Sequence, residues 1–245
     1  MEEYNLNEPL ISNKDIENNE AQIDLMIDLQ IRKGFIVKVY TILIFQILFT
    51  SLFVFCAYYS QSFYNLLINS LLIFFFSVTV LISSLIIVAC NPEFLKKVPQ
   101  NYIFLIAFTF AESYFVASMT CQFSQNSVLL ALLFTFVVIV TLTIYSWKSE
   151  NDITIYGGVL SCLLSCLILC AILLLFIQVP LIYMFYNTFA LLLFATYIIY
   201  DTQLIVGNKT SIRYSTDDYI LASMNLYLDI INIFIRILSA FGETR

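Results

Sequence analysis

Four charged residues interrupt long apolar stretches of this sequence: Glu112, Asp201, Asp229 and Arg236. Burying a charge away from water costs free energy, so the presence of each of these residues indicates a structural or functional role. Asp201 lies six residues before Gly207, which is about 9 Å of helix rise. Asp229 lies eleven residues after Asp218, which is about 16 Å. If the two stretches are antiparallel helices joined by a short loop, these carboxyl groups can reach similar depths.

Two neighbouring carboxyl groups in a low-dielectric interior have a specific chemistry. They cannot both ionise cheaply, so they would share a proton. Ionised, they would form a site for a hard cation that prefers oxygen ligands. The pair would therefore serve as a proton switch or as a cation site. The same spacing is also compatible with each aspartate separately accepting hydrogen bonds from the backbone.

The other two charged residues, Glu112 and Arg236, have more than one possible role. Arg236 lies seven residues after Asp229, two turns along nearly the same helix face. That separation is long for a direct ion pair, so Glu112 is a candidate partner for Arg236. The alternative is that Arg236 extends its guanidinium toward the membrane surface.

Histidine is absent from the chain, and this limits the chemistry available. Zinc sites built on histidine, Ser–His or Cys–His nucleophiles and imidazole-based pH switches are excluded. Cys162, Cys166 and Cys170 repeat every four residues along one helix face without polar neighbours. We interpret them as small apolar contacts rather than as a metal site. We expect no enzyme and no resident cofactor.

The elements that carry these residues are long apolar helices. Hydrophobic residues make up 61% of the 245 residues and charged residues only 11%, too apolar for a water-soluble domain. Pro180 breaks one apolar run, and Gly207 is placed to end a helix. The sequence predicts an all-α membrane protein with seven spans. They cover residues 35–57, 64–90, 102–120, 127–147, 156–178, 181–206 and 218–242.

The distribution of charge predicts orientation. Nine of the eleven bases precede or open span one or fall in alternate connections, while 58–63, 121–126 and 179–180 contain none. The positive-inside rule then places the N-terminus in the cytosol. Residues 1–31 hold eight acids and one base, and we interpret them as a disordered cytosolic tail preceding a transmembrane domain of residues 32–245.

Several segments resemble the Bax-inhibitor family, specifically its Lifeguard branch. The C-terminal signature matches YIIYDTQLIVGNKT (197–210) and DDYILASMNLYLDIINIFIRIL (217–238). Three further segments fit that branch: RKGFIVKVYTILIFQILFT (32–50), NYIFLIAFTFAESYFVAS (101–118) and TIYSWKSENDITIYGGVL (143–160). The resemblance covers about residues 32–242.

The resemblance implies a fold and a function. The last of seven helices is expected to be central and surrounded by the other six. The function is expected to be a pH-sensitive calcium leak that modulates cell death, with Asp201 and Asp229 as its di-aspartyl pair. Calcium is then the permeant ion, and death regulators or channel proteins are expected partners. Family members often carry arginines after span two that contact the pair; Lys96 and Lys97 stand here and lack the planar guanidinium.

Two functions remain open at this stage. One is the calcium leak channel, in the endoplasmic reticulum or Golgi membrane or in the plasma membrane. The other is a non-conducting membrane adaptor that regulates cell death or other channels through protein contacts. Only the channel requires both aspartates and ion transport by the protein alone. A seven-helix receptor is disfavoured by the motifs, a membrane hydrolase by the lack of histidine, and nucleic acid is not an expected ligand.

Overall fold

The computed structural model describes residues 13–177, 179–207 and 210–244, and these form a bundle of α-helices. Two short 3₁₀ helices, Pro92–Lys96 and Thr154–Tyr156, lie in the connections. The α-helices are α1 (Asn13–Tyr59), α2 (Gln61–Asn69), α3 (Leu71–Cys90), α4 (Gln100–Thr120), α5 (Gln125–Lys148), α6 (Gly157–Leu174), α7 (Pro180–Val206) and α8 (Tyr219–Phe241).

Within the described part of the chain, seven stretches are long and apolar enough to cross a membrane, which confirms the predicted number of spans. The second predicted span is shorter than expected, because the apolar run 64–90 is divided at Ser70 into α2 and α3. Ser70 leaves the helical conformation with φ −97° and ψ 69°, and its N–H still bonds the carbonyl of Leu66. Leu71–Val88 alone forms the span.

The first helix begins earlier than predicted. Residues 13–31, assigned by the sequence to a disordered tail, belong to α1, so the expected boundary at residue 31 falls inside a helix. Extending an existing helix requires no new nucleation, which favours its continuation beyond the span. Residues 1–12 lie outside the described part of the chain.

The last helix occupies the centre of the bundle, as expected. Helix α8 buries 13 of its 23 residues, compared with 2 of 18 in α6. Helix α8 packs against α7, α1, α5 and α4, while α3 packs on α4 and α6 on α7 as an outer layer. A helix covered by protein on all sides can carry polar residues that lipid would exclude.

The connection between α7 and α8 begins as the sequence predicts. Gly207 ends α7 in the left-handed conformation, with φ 65°, and donates its N–H to Gln203. Its neighbours Asn208 and Lys209 lie outside the described residues. The chain then continues through residues 210–218 to the first residue of α8.

Candidate functional site: a buried pair of aspartates

Asp201 on α7 and Asp229 on α8 meet inside the bundle. Both are buried, with 3% and 6% of their surface exposed, and their carboxyl groups are within hydrogen-bonding reach of each other. Helices α7 and α8 form the most extensive helix–helix contact in the structure, which fixes the two positions relative to one another. The structure therefore brings together the two residues that the sequence singles out as a pair.

A tyrosine from outside the spans completes the surroundings of the pair. The Tyr214 hydroxyl donates to Oδ1 of Asp201 at 3.4 Å and accepts a hydrogen bond from Nδ2 of Asn225 at 2.9 Å. Burial and the nearby Asp201 raise the pKa of Tyr214 well above its usual value, so this hydroxyl stays a donor at physiological pH. The Oδ2 atom of Asp229 is buried without a hydrogen-bond partner among the described residues.

The pair offers few ligands to a cation. Among the described residues, no group of three or more histidine, cysteine or acidic side chains gathers in one place. Calcium takes six to eight oxygen ligands, so two carboxylates and a hydroxyl would leave most of its coordination to water or carbonyl groups. Such a set suits an ion that binds weakly and leaves again, rather than a resident metal.

Arg32 of α1 holds the chain around the end of α7. Its guanidinium donates to the carbonyl of Tyr214 at 2.7 Å, to that of Val206 at 3.3 Å and to that of Leu204. Arg32 is buried, and its charge faces the carbonyl end of α7, where the helix dipole is negative. From the sequence, this arginine is predicted only to contribute to orientation, as one of the bases before span one.

The connection between α5 and α6 contacts both the end of α7 and the segment that follows it. Asp152 accepts the N–H of Ser211 at 2.7 Å and the hydroxyl and N–H of Thr154 at 2.5 and 2.9 Å. These hydrogen bonds, that of the Thr154 hydroxyl first, lower the pKa of Asp152 to about 2. Gln203, two residues after Asp201, accepts the N–H of Ile153 and donates to the carbonyl of Asn151.

Glu112 belongs to a different region of the bundle. It is buried on α4 and lies close enough to Tyr227 of α8 to interact with it electrostatically. Tyr227 is hydrogen-bonded to Thr50 at 2.7 Å, and Thr50 to Ser113 at 2.9 Å. Tyr227 precedes Asp229 by two residues, so the two side chains leave α8 on nearly opposite faces. Glu112 is thus a third buried carboxyl group separate from the pair.

Arg236 does not form the ion pair with Glu112 that the sequence analysis considered. Its guanidinium lies 5.1 Å from the ring centroid of Tyr186, and its Nε atom is buried without a partner among the described residues. Asn187 of α7 donates to the main-chain carbonyl of Arg236 at 2.9 Å. These contacts bind α8 to α7 toward the other end of both helices.

The two lysines after span two do not reach the aspartate pair. Lys96 lies 3.6 Å from Asp218, the residue before α8, in a partly exposed ion pair. Lys97 follows it with an exposed side chain. Both stay near the connections, so neither takes the place of the arginine contact that the resemblance implies.

Tyr214, Arg32 and Asp152 are the contributors that sequence reasoning missed. Tyr214 and Asp152 lie in loops, where helical periodicity gives no information about which side chain turns inward. Arg32 lies within α1, and its partners come from a loop distant in sequence. One signal was available for Arg32: a helix C-terminus leaves unpaired carbonyl groups, and a base near a span end can satisfy them. Nothing in the sequence specified which base would do so.

Comparison with known proteins agrees with the resemblance stated from the sequence. Residues 32–245 match the family described as Inhibitor of apoptosis-promoting Bax1. Protein lifeguard 3 from Homo sapiens is 29% identical over 220 residues, covering 88% of this chain and 70% of that protein. Bax inhibitor 1 from Schizosaccharomyces pombe is 37% identical over 217 residues, covering 86% of this chain and 77% of that protein. With seven apolar spans and this match over nearly its whole length, the chain belongs to the Bax-inhibitor and Lifeguard family of membrane cell-death regulators.

Proposed function

We propose that this protein is a pH-sensitive calcium leak channel of a cellular membrane, modulating calcium homeostasis and cell death. The observation that carries the proposal is the burial of Asp201 and Asp229 side by side in the central helix pair. A structural role alone explains this arrangement poorly, because two adjacent carboxyl groups in a low-dielectric interior oppose each other's ionisation.

The chemistry of the pair links protons to calcium. Doubly ionised, the carboxylates attract a divalent cation whose charge offsets their repulsion. A shared proton removes part of that charge and adds a hydrogen bond between the two groups. Occupancy by calcium and protonation therefore compete, and the two states favour different arrangements of α7 and α8. The remaining polar groups near the pair are Tyr197, Tyr200, Tyr214 and Asn225.

The proposal extends to orientation and compartment. The bases before span one and in the alternate connections favour a cytosolic N-terminus. We expect the endoplasmic reticulum or the Golgi apparatus as the compartment, on the family resemblance. We propose no catalytic step, since the chain has no histidine to act as a base.

The test is calcium flux into liposomes that contain only the purified protein, measured across a range of pH. Wild-type protein is expected to conduct with a pH-dependent rate, and the double variant Asp201→Asn/Asp229→Asn to lose most of that dependence. Glu112→Gln is the matched control, since it neutralises a buried carboxyl group away from the pair. Wild-type protein that carries no calcium would leave the adaptor function in place of the channel. Loss of pH dependence in Glu112→Gln alone would move the sensor to α4.

A further inference from the structure

Residues 210–218, which precede α8, are held in place by side chains from three other parts of the chain. Arg32 of α1 donates to the carbonyl of Tyr214 at 2.7 Å, and Asp152 accepts the N–H of Ser211 at 2.7 Å. The third contact is the ion pair of Lys96 with Asp218 at 3.6 Å. Within its own hairpin, the N–H of Tyr214 bonds the carbonyl of Leu204 at 3.2 Å. The N–H of Ser215 bonds the Asp218 carboxylate, and the N–H of Asp218 bonds the Ser215 carbonyl, at 3.1 Å each.

These contacts differ in strength. The ion pairs of Arg213 with Asp28 and of Lys96 with Asp218 are partly exposed, and such pairs contribute little. Arg32 and Asp152 instead hold the backbone through hydrogen bonds to a charged group, which are roughly twice as strong as neutral ones. The position of the segment therefore depends mainly on these two residues.

Arg32 contacts three neutral carbonyl groups, and within the described residues it forms no ion pair. A planar guanidinium with several donors can serve three carbonyls at once, which a lysine ammonium does less well. Burial desolvates this charge and Arg213 repels it, and Asp28 offsets these effects only in part. The stabilisation that Arg32 gives is therefore modest, because water can replace the carbonyls when the segment moves away. A contact of this kind holds residues 210–218 against the bundle but can be broken without a large cost in free energy.

The segment places one large side chain inward over the aspartate pair. The Tyr214 hydroxyl is 3.4 Å from Oδ1 of Asp201, and Asn225 anchors the same hydroxyl from α8. Asp201 lies only five residues before the end of α7, about 8 Å of helix rise. The Tyr214 side chain thus reaches from the loop end of the bundle to the pair.

We propose that residues 210–218 are a gate over the Asp201–Asp229 pair, in which Tyr214 is the plug and Arg32 the clamp that holds it shut. The inference rests on the proposed channel function and assigns its regulation to this end of the bundle. Opening requires Arg32 to release the carbonyl of Tyr214, after which the segment carries the ring away from Asp201. Both are positioning residues, since they act on access to the pair.

The test uses full-length protein in liposomes and compares Arg32→Lys and Tyr214→Ala with wild type. Arg32→Lys keeps the charge but loses hydrogen bonds, and Tyr214→Ala removes the plug. Each is expected to raise calcium flux roughly three- to tenfold at the pH where the wild type is least active, as for the loss of one or two hydrogen bonds. The pH dependence itself should persist, because the two carboxyl groups remain. Matched controls are Lys33→Arg, at the exposed neighbouring base, and Tyr156→Ala, at an exposed tyrosine.

A second measurement guards against variants that fold poorly. Tyr214→Phe keeps the ring and is expected to retain low flux, while hydrogen–deuterium exchange follows the amides of residues 210–218 directly. In Arg32→Lys these amides should exchange faster, with α8 unchanged. Wild-type conduction together with unchanged flux and exchange in Arg32→Lys and Tyr214→Ala would overturn the gate and leave the channel standing. An absence of wild-type flux would overturn the channel, and the gate with it.

Discussion

Asp201 and Asp229 stand on antiparallel helices, with their carboxyl groups within hydrogen-bonding reach and one oxygen of Asp229 buried without a partner among the described residues. Neither residue then has an independent titration, because the protonation of one changes the field at the other. The two carboxyl groups therefore titrate as one unit.

This coupling predicts how single and double variants compare. Asp201→Asn and Asp229→Asn each preserve size and remove one titrating group, so each should abolish most of the pH dependence of calcium flux. The double variant should lose little more of the pH dependence than either single variant, since the effects of substituting residues that act as a unit are not additive. The measurement is the liposome flux profile of all three variants. Two single variants that each lose half of the dependence, with the rest lost only in the double, would mean that the aspartates titrate separately.

The sequence predicted the pair but not what covers it. Seven apolar runs, a glycine stop at Gly207 and charges inside the last two runs are local signals, and they allowed Asp201 and Asp229 to lie at similar depths. The family resemblance then favoured the pair over two aspartates that bond the backbone separately. Tyr214 and Arg32 depend instead on how a loop folds back onto a distant helix, which no periodicity encodes. The early start of α1 was missed for a related reason: acidic composition suggests disorder, while continuation of an existing helix favours order.

Asp152 gives a prediction about acid stability. Its folded pKa is lowered to about 2 by the Thr154 hydroxyl and the Ser211 N–H, below an unfolded value of 3.8. A group with a depressed folded pKa stabilises the fold above its unfolded pKa, and that contribution is lost as the pH falls from about 4 through about 2. Asp152 therefore stays ionised near neutral pH.

Asp152→Ala should speed amide exchange in residues 210–218 and raise calcium flux by the same factor at every pH from 5 to 8. A changed pH profile of flux would contradict the assignment of Asp152 as a contact that does not titrate in this range.

Tyr227 joins three helices through its hydroxyl, and removing that hydroxyl should weaken the bundle. Tyr227→Phe loses the 2.7 Å hydrogen bond to Thr50 in a fully buried site. Interhelical hydrogen bonds in membranes contribute about 0.6–2 kcal/mol, so a measurable fall in Tm in detergent is expected. Tyr156→Phe, at an exposed tyrosine, is the control and should keep the wild-type Tm. Equal Tm values for both variants would show that the hydroxyl of Tyr227 contributes nothing to stability.

The distribution of bases predicts the topology of the whole chain. A glycosylation acceptor on a flexible extension should be modified at the C-terminus and left unmodified at the N-terminus, because the N-terminus is expected in the cytosol. The natural acceptor Asn208-Lys209-Thr210 should also remain unmodified. Glycosidase treatment followed by electrophoresis reports each case. A glycan at the N-terminal extension or at Asn208 would reverse the orientation proposed for the channel.

Gly207 tests the end of α7 and the position of Arg32 together. It has φ 65°, a conformation that costs other residues about 1–2 kcal/mol, and an added Cβ would lie 2.7 Å from Nη2 of Arg32. Gly207→Ala should therefore lower the Tm in detergent and displace the guanidinium from the carbonyls that it holds. Gly158 is the matched control, since it lies in helix α6 with nothing within 4 Å of an added Cβ. Gly158→Ala should leave the Tm unchanged or raise it, because alanine is the better helix former by about 1 kcal/mol. Calcium flux gives a second measurement on Gly207→Ala. Because the substitution disturbs the clamp without touching either aspartate, the flux of this variant should rise while its pH dependence remains.

Equal Tm and equal flux in Gly207→Ala and Gly158→Ala would show that neither the left-handed turn nor its contact with Arg32 matters to the protein.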